Sequence, residues 1–370
     1  MSGRLEVLTE LRALEALVPE WRELTAKAAR SPLEAADWLW PLGRRYLAGH
    51  QNRVLVWRAQ DGRLSAIQPF SLLAYGPRLR KLRQLAPWGT VGPRMRGLVD
   101  LVALPEAREA ALDDLCAWLE KDGEGWDLLR LLRPPVGSDT PGRLQAKAGA
   151  AGWTYAPYRT VRSTTYQLDL PEDAEGWQKH LSSKSRKVMR WEVRKFEQFR
   201  AGRLEAAVGD EVMLEALEAV QRLLHERWAD KETYFNADRQ FRELVHEAVP
   251  AMAGHGSAWV SVARDDAGIH GVLVSLAQNG HAMALLVAVT ADGAYSRFSL
   301  GKHLFDVGIG EAVARGCHVY DFLWIGGYKE SFWHAQGREL ESAMIGRGLV
   351  GKAAALVSAR REGGGLPRIR

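Results

Sequence analysis

Cysteine is scarce in this sequence of 370 residues. Its two cysteines, Cys116 and Cys317, lie far apart and have neither the spacing of a metal site nor that of a redox motif. The sequence therefore gives no support to a disulfide framework, a cysteine-based metal centre or a thiol oxidoreductase. A reduced, cytoplasmic protein is the simplest expectation.

Long apolar runs and an excess of one charge are also missing. No stretch approaches the roughly 20 apolar residues that a membrane-spanning helix needs, and the N-terminal segment carries Glu and Arg throughout, unlike a signal peptide. Lys and Arg number 50 against 45 Asp and Glu, which gives a formal net charge of +5. That balance does not by itself indicate a nucleic-acid partner. We expect no transmembrane segment.

The composition that remains is that of a globular protein rich in tryptophan. Hydrophobic residues make up 46% and charged residues 26%, with 14 tryptophans. A chain of this length favours two domains, each able to bury its own core.

One order of elements occurs twice along the chain. In residues 52–132 and again in 257–324, a strand-turn-strand pattern is followed by a strand, a helix and an apolar strand. The two sequences barely match, so this is a repeat of pattern only. It predicts a fold of α/β class with mixed sheets, built from two similar domains. The expected parts are an N-terminal domain at 1–170, a C-terminal domain at 171–345 and a basic C-terminal helix and tail at 346–370.

The second copy contains a candidate anion site. A strand ends near Val289, a turn of small residues follows, and a helix begins near Ser299 with Gly301 in its first turn. Free backbone N–H groups and the positive end of a helix dipole suit a phosphate. The matching helix of the first copy begins with Leu-Pro-Glu at Pro105, and that carboxylate would repel a phosphate. We therefore expect an anionic cofactor at the second copy only.

The C-terminal half resembles the GNAT-type acyltransferases of the FemAB/CelD-like branch, whose members often carry two GNAT-like domains in one chain. The resemblance covers about residues 178–340. The stretches that carry it are LSSKSRKVMRWEVRKFE (181–197), LLHERW (223–228), Tyr295-Ser296 with Ser299 and Gly301, and YDFLWIGGYKESFW (320–333). The N-terminal half matches only in the order of its elements, so it resembles a degenerate copy that would help to shape the acceptor cleft.

The sequence departs from the family pattern at two places. The commonest family turn, Ser-Pro-Gly, is Ser299-Leu300-Gly301 here, which keeps the glycine. The acidic spacer before Tyr-Lys is replaced by Gly326-Gly327, so contacts made by that spacer are not expected.

The resemblance implies an acyl-CoA co-substrate, acetyl-CoA in the first place, and no metal. The pantetheine would lie along the strand before the helix, and the pyrophosphate would lie on the turn and helix start. The cofactor-binding residues that this implies are Val287, Val289, Tyr295, Arg297, Ser299, Leu300, Gly301 and Lys302.

Candidate catalytic residues lie in the last apolar strand, VYDFLW, and just beyond it, and the resemblance implies a role in transfer for the lysine. Lys329 would stabilise a developing oxyanion, Tyr328 would protonate the leaving thiolate, and Asp321 is one place to look for a base, with water as the alternative. A structural Asp–Lys pair and a packed tyrosine explain the same residues. Arg227 and Trp228 are candidates for contact with an acidic acceptor, although a solvated helix face also explains them.

A basic helix begins the C-terminal domain. Residues 179–203 hold nine Lys and Arg against two Glu. We expect its Val188, Trp191, Phe196 and Phe199 on one side, with the cations elsewhere. Such a helix would attract acidic acceptors, tRNA or an anionic membrane surface, or would be an ordinary solvated face.

The sequence thus predicts transfer of an acyl group to an amine or hydroxyl by direct attack. The acceptor would be a small molecule or a cell-envelope or polysaccharide component. One alternative is a Fem-type transferase that uses aminoacyl-tRNA, the only case in which a nucleic-acid partner is expected, although the helical arm that such enzymes often insert is not evident. The other is a binding protein without turnover, since no carboxylate lies between His281 and Val289, where many GNAT enzymes place a base.

Overall fold

The computed structural model describes residues 4–75, 81–91, 97–121, 125–160, 162–207, 210–228, 238–324 and 327–363. It divides into two compact units, the first made of Met1–Thr164 with Arg338–Arg370 and the second of Thr165–Gly337.

The described elements are numbered along the chain. The strands are β1 Arg4–Leu8, β2 Gln51–Arg58, β3 Leu64–Tyr75, β4 Leu82–Pro87, β5 Val102–Ala103, β6 Leu128–Leu132, β7 Thr154–Tyr158, β8 Thr164–Asp169, β9 Arg203–Ala207, β10 Ala258–Asp265, β11 Gly268–Gln278, β12 His281–Val289, β13 Val319–Asp321, β14 Gln336–Glu339 and β15 Ser342–Gly346. The helices are α1 Leu11–Ala28, α2 Ala36–Tyr46, α3 Pro105–Lys121, α4 Thr140–Ala150, α5 Ala174–His180, α6 Ser183–Gln198, α7 Asp210–Trp228, α8 Arg239–Gly254, α9 Leu300–Ala314, α10 Tyr328–Trp333 and α11 Gly348–Gly363.

The two sheets share one strand order. The first runs β1-β2-β3-β4-β6-β15-β7, with β5 beside β3, and the second runs β9-β10-β11-β12-β13-β8-β14. In each sheet an antiparallel meander is followed by one parallel pair, β4 with β6 and β12 with β13, which a helix connects. The predicted repeat, and with it the fold class of two α/β copies with mixed sheets, is confirmed.

The observed units differ from the expected ranges at the C-terminus. Residues 338–370 belong to the first unit, whereas we expected the second domain to run to 345 and a separate tail to follow. The reason is β15, which pairs with both β6 and β7 and buries Ala343 and Ile345 completely. Helix α11 then packs on the same sheet through Ala355 and Ala359. This segment therefore completes the core of the first unit.

The basic helix also differs from its prediction. It is two helices, because α5 ends at His180 and the Ser182 side chain caps α6 by accepting a hydrogen bond from the Ser185 amide (3.1 Å). The apolar residues of α6 do not share one side: Trp191 is 58% exposed and Phe196 is 1% exposed. Five positions at about 100° per residue place these two rings on different faces, which explains the correction.

Helix α9 packs closely on one face of the second sheet. A Cβ atom at Gly308 would lie 2.9 Å from Leu273 Cδ2 and 3.0 Å from Ser261 Oγ, so only glycine allows this approach. Helix α7 contacts β10 and β11, as α9 does, and α8 contacts β10 and α7. Because side chains alternate along each strand, the two faces of β12 and β13 present different residues.

Candidate functional site

The parallel pair at the centre of the second sheet separates after three residues. His281 pairs with Val319 and Met283 pairs with Asp321, where β13 ends, while β12 continues to Val289. Among the described strands, β12 has only β11 and β13 as neighbours. The backbone of 284–289 is therefore paired on one side and open on the other, at the carboxyl end of a parallel pair, which is a common place for ligands in α/β sheets.

A β-bulge in β12 contributes to this separation. Val274 of β11 pairs with Leu286, but the next residue, Ser275, pairs with Ala284. Leu285 is thus an extra residue on β12. A bulge of this kind bends its strand and increases the twist, so it directs the end of β12 away from β13.

The end of β12 lies beside the start of α9. A Cβ atom at Gly301 would lie 3.6 Å from Val289 Cγ2, which is ordinary contact. Val287 and Val289 are half-buried against the core that also contains the buried side chain of Leu300. The structure therefore brings four of the predicted cofactor-binding residues to one place.

Two other predicted cofactor-binding residues have different surroundings. The buried Tyr295 donates a hydrogen bond from its hydroxyl to Asp265 (2.7 Å), and its ring stacks on His270 at 3.9 Å. Burial raises the pKa of Tyr295, and the Asp265 carboxylate adds to that rise. Arg297 is exposed and lies over the Phe298 ring at 4.8 Å. These contacts hold the Tyr295 side chain in the core, whereas Arg297 lies at the surface.

A carboxylate from α6 lies over the start of α9. Ser299 has a left-handed backbone (φ 50°) and donates from its hydroxyl to Glu192 Oε1 (3.1 Å). Glu192 Oε2 lies 2.5 Å from Lys302 Nζ and 3.1 Å from His303 Nε2. The sequence predicted a helix start without a carboxylate, but α6 supplies one from a distant part of the chain.

Helical spacing in α6 is the signal that could have found Glu192. The residue lies three positions after Met189 and four before Phe196, both of which are buried. A charged residue on the buried face of a helix requires a partner there. The charge balance of residues 179–203 alone does not distinguish Glu192 from an exposed carboxylate.

His303 adds no positive charge to this cluster. Its side chain is buried, and burial lowers its pKa to about 4, against the opposing effect of the Glu192 charge. Its Nδ1 atom has no hydrogen-bond partner within the described part of the chain. At neutral pH the cluster is therefore a Glu192–Lys302 ion pair with a neutral imidazole beside it.

Asp321 is held at the point where the strands separate. It is buried and accepts hydrogen bonds from the Thr165 hydroxyl, the Gln167 side-chain amide (2.9 Å) and the Leu323 backbone N–H (2.6 Å). The Nε2 atom of His281 lies 3.8 Å from Asp321 Oδ2. Two of these donors come from β8, a contribution that the sequence did not indicate. The carboxylate is thus fixed in place by three donors.

Lys329 is a buried cation close to the same point. Its side chain is 3% exposed, and its Nζ lies 4.6 Å from the centroid of the Phe305 ring and 5.2 Å from that of Phe322. Burial lowers the pKa of Lys329 to about 8, and the nearby Asp321 charge opposes this. The ammonium therefore lies on aromatic faces in an apolar environment, where it titrates not far above neutral pH.

Three predicted site residues receive less structural detail. The side chains of Tyr328 and Trp228 lie outside the described residues. Arg227 is exposed near the end of α7. The roles predicted for them, proton donation and acceptor binding, stay predictions.

The described residues contain neither a cluster of metal ligands nor a helix suited to a bilayer. No three His, Cys, Asp or Glu side chains are grouped so that they could hold a metal ion. No described helix combines the length and the apolar character that crossing a bilayer requires.

The second unit matches a known family of domains. Residues 183–331 match the family model described as an acetyltransferase (GNAT) domain. A comparison with curated proteins gives no match. The matched segment includes β9 to β13, α9, Glu192, Asp321 and Lys329.

Solved structures resemble the whole chain. The crystal structure of FemX has 12% identity and a TM-score of 0.61, and the likeness covers 92% of this chain and 96% of that one. The C-terminal domain of a putative lysylphosphatidylglycerol synthetase from Agrobacterium fabrum has 14% identity and a TM-score of 0.53, over 95% and 98% of the two chains. L-PGS from Bacillus licheniformis has 11% identity and a TM-score of 0.51, over 97% and 99%. At these sequence identities the likeness shows a shared fold alone. The chain therefore has a tandem, FemX-like fold, and its residues 183–331 match the acetyltransferase (GNAT) domain.

Proposed function

We propose that the second unit transfers an acyl group from an activated donor to an amine or hydroxyl at the gap between β12 and β13. The observation that carries this proposal is Lys329, a buried ammonium beside the point where the two strands separate. A buried cation costs stability, so its retention in an apolar setting favours a role in charge stabilisation.

The reaction would proceed by direct attack on the acyl carbonyl. The acceptor nitrogen or oxygen forms a bond to the carbonyl carbon, the carbonyl oxygen becomes an oxyanion, and the bond to the donor breaks as that oxyanion collapses. Protonated Lys329 would stabilise the oxyanion, an effect that is large where water is excluded. Tyr328 is the group proposed to protonate the leaving atom of the donor.

The acceptor loses a proton as it attacks, so the reaction also requires a base. We propose His281, because its buried Nε2 has no hydrogen-bond partner among the described residues and lies 3.8 Å from Asp321. The Asp321 charge would support the imidazolium that forms. Asp321 itself already accepts three hydrogen bonds, so it suits a positioning role better than proton transfer.

An acyl-CoA is the first candidate donor. The open edge of β12 at 284–289 could accept the pantetheine, and the neighbouring start of α9 offers backbone N–H groups to a pyrophosphate. The match to an acetyltransferase (GNAT) domain supports this choice. A pyrophosphate would have to displace the Glu192 carboxylate, after which Lys302 could pair with the phosphate instead.

Aminoacyl-tRNA is the second candidate donor. It is favoured by the same Glu192 carboxylate, because a donor without a pyrophosphate at the start of α9 would leave the ion pair with Lys302 intact. Under either donor we propose an acceptor from the cell envelope. The fold likeness to FemX and to a domain of a putative lysylphosphatidylglycerol synthetase supports that class of acceptor.

Donor binding and transfer are tested together. Acetyl-CoA, longer acyl-CoAs and aminoacyl-tRNA are titrated in thermal unfolding, since a ligand of the folded state raises the midpoint. Each donor is also supplied with a radiolabelled acyl group and a pool of envelope precursors. We expect one donor class to raise the midpoint and to transfer its label. A chain that binds a donor but never transfers the label would be a binding protein, which would contradict the proposal.

A further inference from the structure

Helix α6 has two unlike faces. Met189 and Phe196 are buried on its inner face, where Glu192 also contacts the start of α9. On its outer face Val188 is 44% exposed and Trp191 is 58% exposed. The inner contacts fix the rotation of the helix, so the outer face has a defined orientation before any partner arrives.

The outer face combines these two apolar residues with cations. Six of the exposed residues of α6 follow spacings of three and four, so they form one stripe along the helix, while Arg190 and Glu197 are exposed beside it. The stripe consists of Lys184, Lys187, Val188, Trp191, Arg194 and Lys195. The apolar pair occupies the middle, with two cations toward each end.

The cations of this stripe are not used inside the second unit. None of the four forms an ion pair with a carboxylate of the described residues. An ordinary solvated face would satisfy the charges and would not expose a tryptophan, because an exposed indole leaves a large apolar area in water. The stripe therefore fits a partner that has negative charge outside and apolar material just beneath it.

We propose that this stripe docks the protein on the surface of a bilayer that contains anionic phospholipid. Tryptophan favours the boundary between headgroups and acyl chains. Lysine and arginine on the same face of an amphipathic helix bind the lipid phosphates around it. With about 1.5 Å per residue, α6 lies flat over roughly 24 Å, so the stripe contacts several headgroups without insertion across the bilayer.

Val188 distinguishes a bilayer from a nucleic acid. An RNA strand would stack a base on Trp191 and pair its phosphates with the cations, but it offers nothing to an exposed aliphatic side chain. A bilayer gains from both apolar residues. The proposal concerns a docking surface and holds whichever donor the active site uses.

The test is co-sedimentation of the full chain with vesicles. Vesicles of phosphatidylglycerol with phosphatidylcholine should bind the protein, pure phosphatidylcholine vesicles should bind it far less, and added salt should release it. Lys187→Ala should weaken partition about fivefold, as expected for one cation near an anionic surface. Trp191→Ser should weaken it also, and Trp191→Phe should retain most of it.

Two exposed residues elsewhere provide matched controls. Leu356→Ala on α11 (49% exposed) and Arg239→Ala on α8 (83% exposed side chain) should leave partition unchanged. Because Lys187 and Trp191 are exposed, their variants should unfold at the wild-type midpoint. The proposal is overturned if no vesicle binds, if both vesicle types bind equally, if the stripe variants behave like the controls, or if polyuridylate binds and displaces the vesicles.

Discussion

At the scale of a single residue, the buried ammonium of Lys329 lowers the stability of the fold, while the proposed reaction depends on its charge. Burial lowers its pKa from an ordinary 10.5 to about 8, which means that the folded state holds the proton less tightly than the unfolded state does. Below pH 8 both states are protonated and the full cost of the buried charge applies. Between pH 8 and pH 10.5 the folded protein loses the proton first, so this residue makes the protein more stable as pH rises.

Lys329→Met should therefore stabilise the protein at neutral pH. A pKa difference of this size corresponds to about 3 kcal/mol, and the lost cation–π contacts offset part of it, so we expect a gain of about 1–3 kcal/mol. Urea unfolding at pH 7 and at pH 10 measures it. The advantage of the methionine should shrink at pH 10, and a variant that is less stable than wild type at pH 7 would contradict a costly buried ammonium.

We expect the Glu192 carboxylate to weaken the binding of an anion at the start of α9. Glu192→Gln keeps the shape of the side chain but removes its charge, so CoA should bind about fivefold more tightly, equivalent to about 1 kcal/mol at a helix N-terminus. Calorimetric titration of wild type and variant measures the change. Glu197→Gln, on the exposed side of the same helix, is the control. Equal affinity in all three proteins would remove Glu192 from donor selection, and no CoA binding in any of them would favour aminoacyl-tRNA.

The sequence located some of these residues and missed others for a physical reason. Asp321 lies in a strand and Lys329 lies shortly after it, within a local pattern that the sequence shows. Two of the three hydrogen bonds that Asp321 accepts come from β8, more than a hundred residues earlier, and no local pattern encodes such a pairing. Glu192 was within reach, since its position on the buried face of α6 follows from helical spacing alone.

At the scale of elements, local periodicity predicted β12 and α9 but not where the neighbouring elements end. The apolar stretch 319–324 predicts one strand. The observed β13 ends at Asp321 because Leu323 adopts a left-handed backbone (φ 60°) that the Asp321 carboxylate stabilises. The bulge at Leu285 also does not show in the apolar sequence pattern of β12. Both features open the gap, so the site depends on the irregularities that a pattern does not show.

Two glycines of α9 test how closely the helix packs on the sheet. Gly310→Ala should raise stability by up to about 1 kcal/mol, since its Cβ would meet Trp177 only at 3.8 Å and alanine favours a helix. Gly308→Ala has the same helical gain but would overpack against Leu273 and Ser261, a cost of about 1–3 kcal/mol. Denaturant unfolding of both should place Gly308→Ala clearly below Gly310→Ala. Equal stabilities would show that α9 can move away from the sheet at no cost.

At the scale of the whole molecule, each sheet contains a strand that the order of the chain does not suggest. β15 comes from the C-terminal segment and lies between β6 and β7, and β8 lies between β13 and β14. The repeat of elements was visible in the sequence because it is local and periodic. The strand that completes each copy is not visible there, since its pairing joins residues that are distant in the chain. The sequence therefore predicts a tail where the C-terminal segment joins the first sheet.

A charge in β15 should unfold the first unit. Ile345 is fully buried between two neighbouring strands, so Ile345→Asp leaves an unpaired carboxylate in the core and should cost more than about 4 kcal/mol. Leu349→Asp, four residues later and 89% exposed, should change stability by less than about 0.5 kcal/mol. Limited proteolysis should cleave 1–164 in the first variant only. Resistance of the Ile345 variant would mean that β15 is dispensable.

The central claim is that Lys329 stabilises the transition state of acyl transfer at the gap between β12 and β13. The most direct measurement is the single-turnover rate of label transfer by wild type and by Lys329→Met, with the donor and acceptor that the transfer screen identifies. We expect the variant to fold, to bind the donor as wild type does, and to lose a factor of about 10²–10³ in rate. The wild-type rate should fall as pH rises through about 8, because Lys329 then loses its proton. A folded Lys329→Met protein that transfers the acyl group at the wild-type rate would contradict the account.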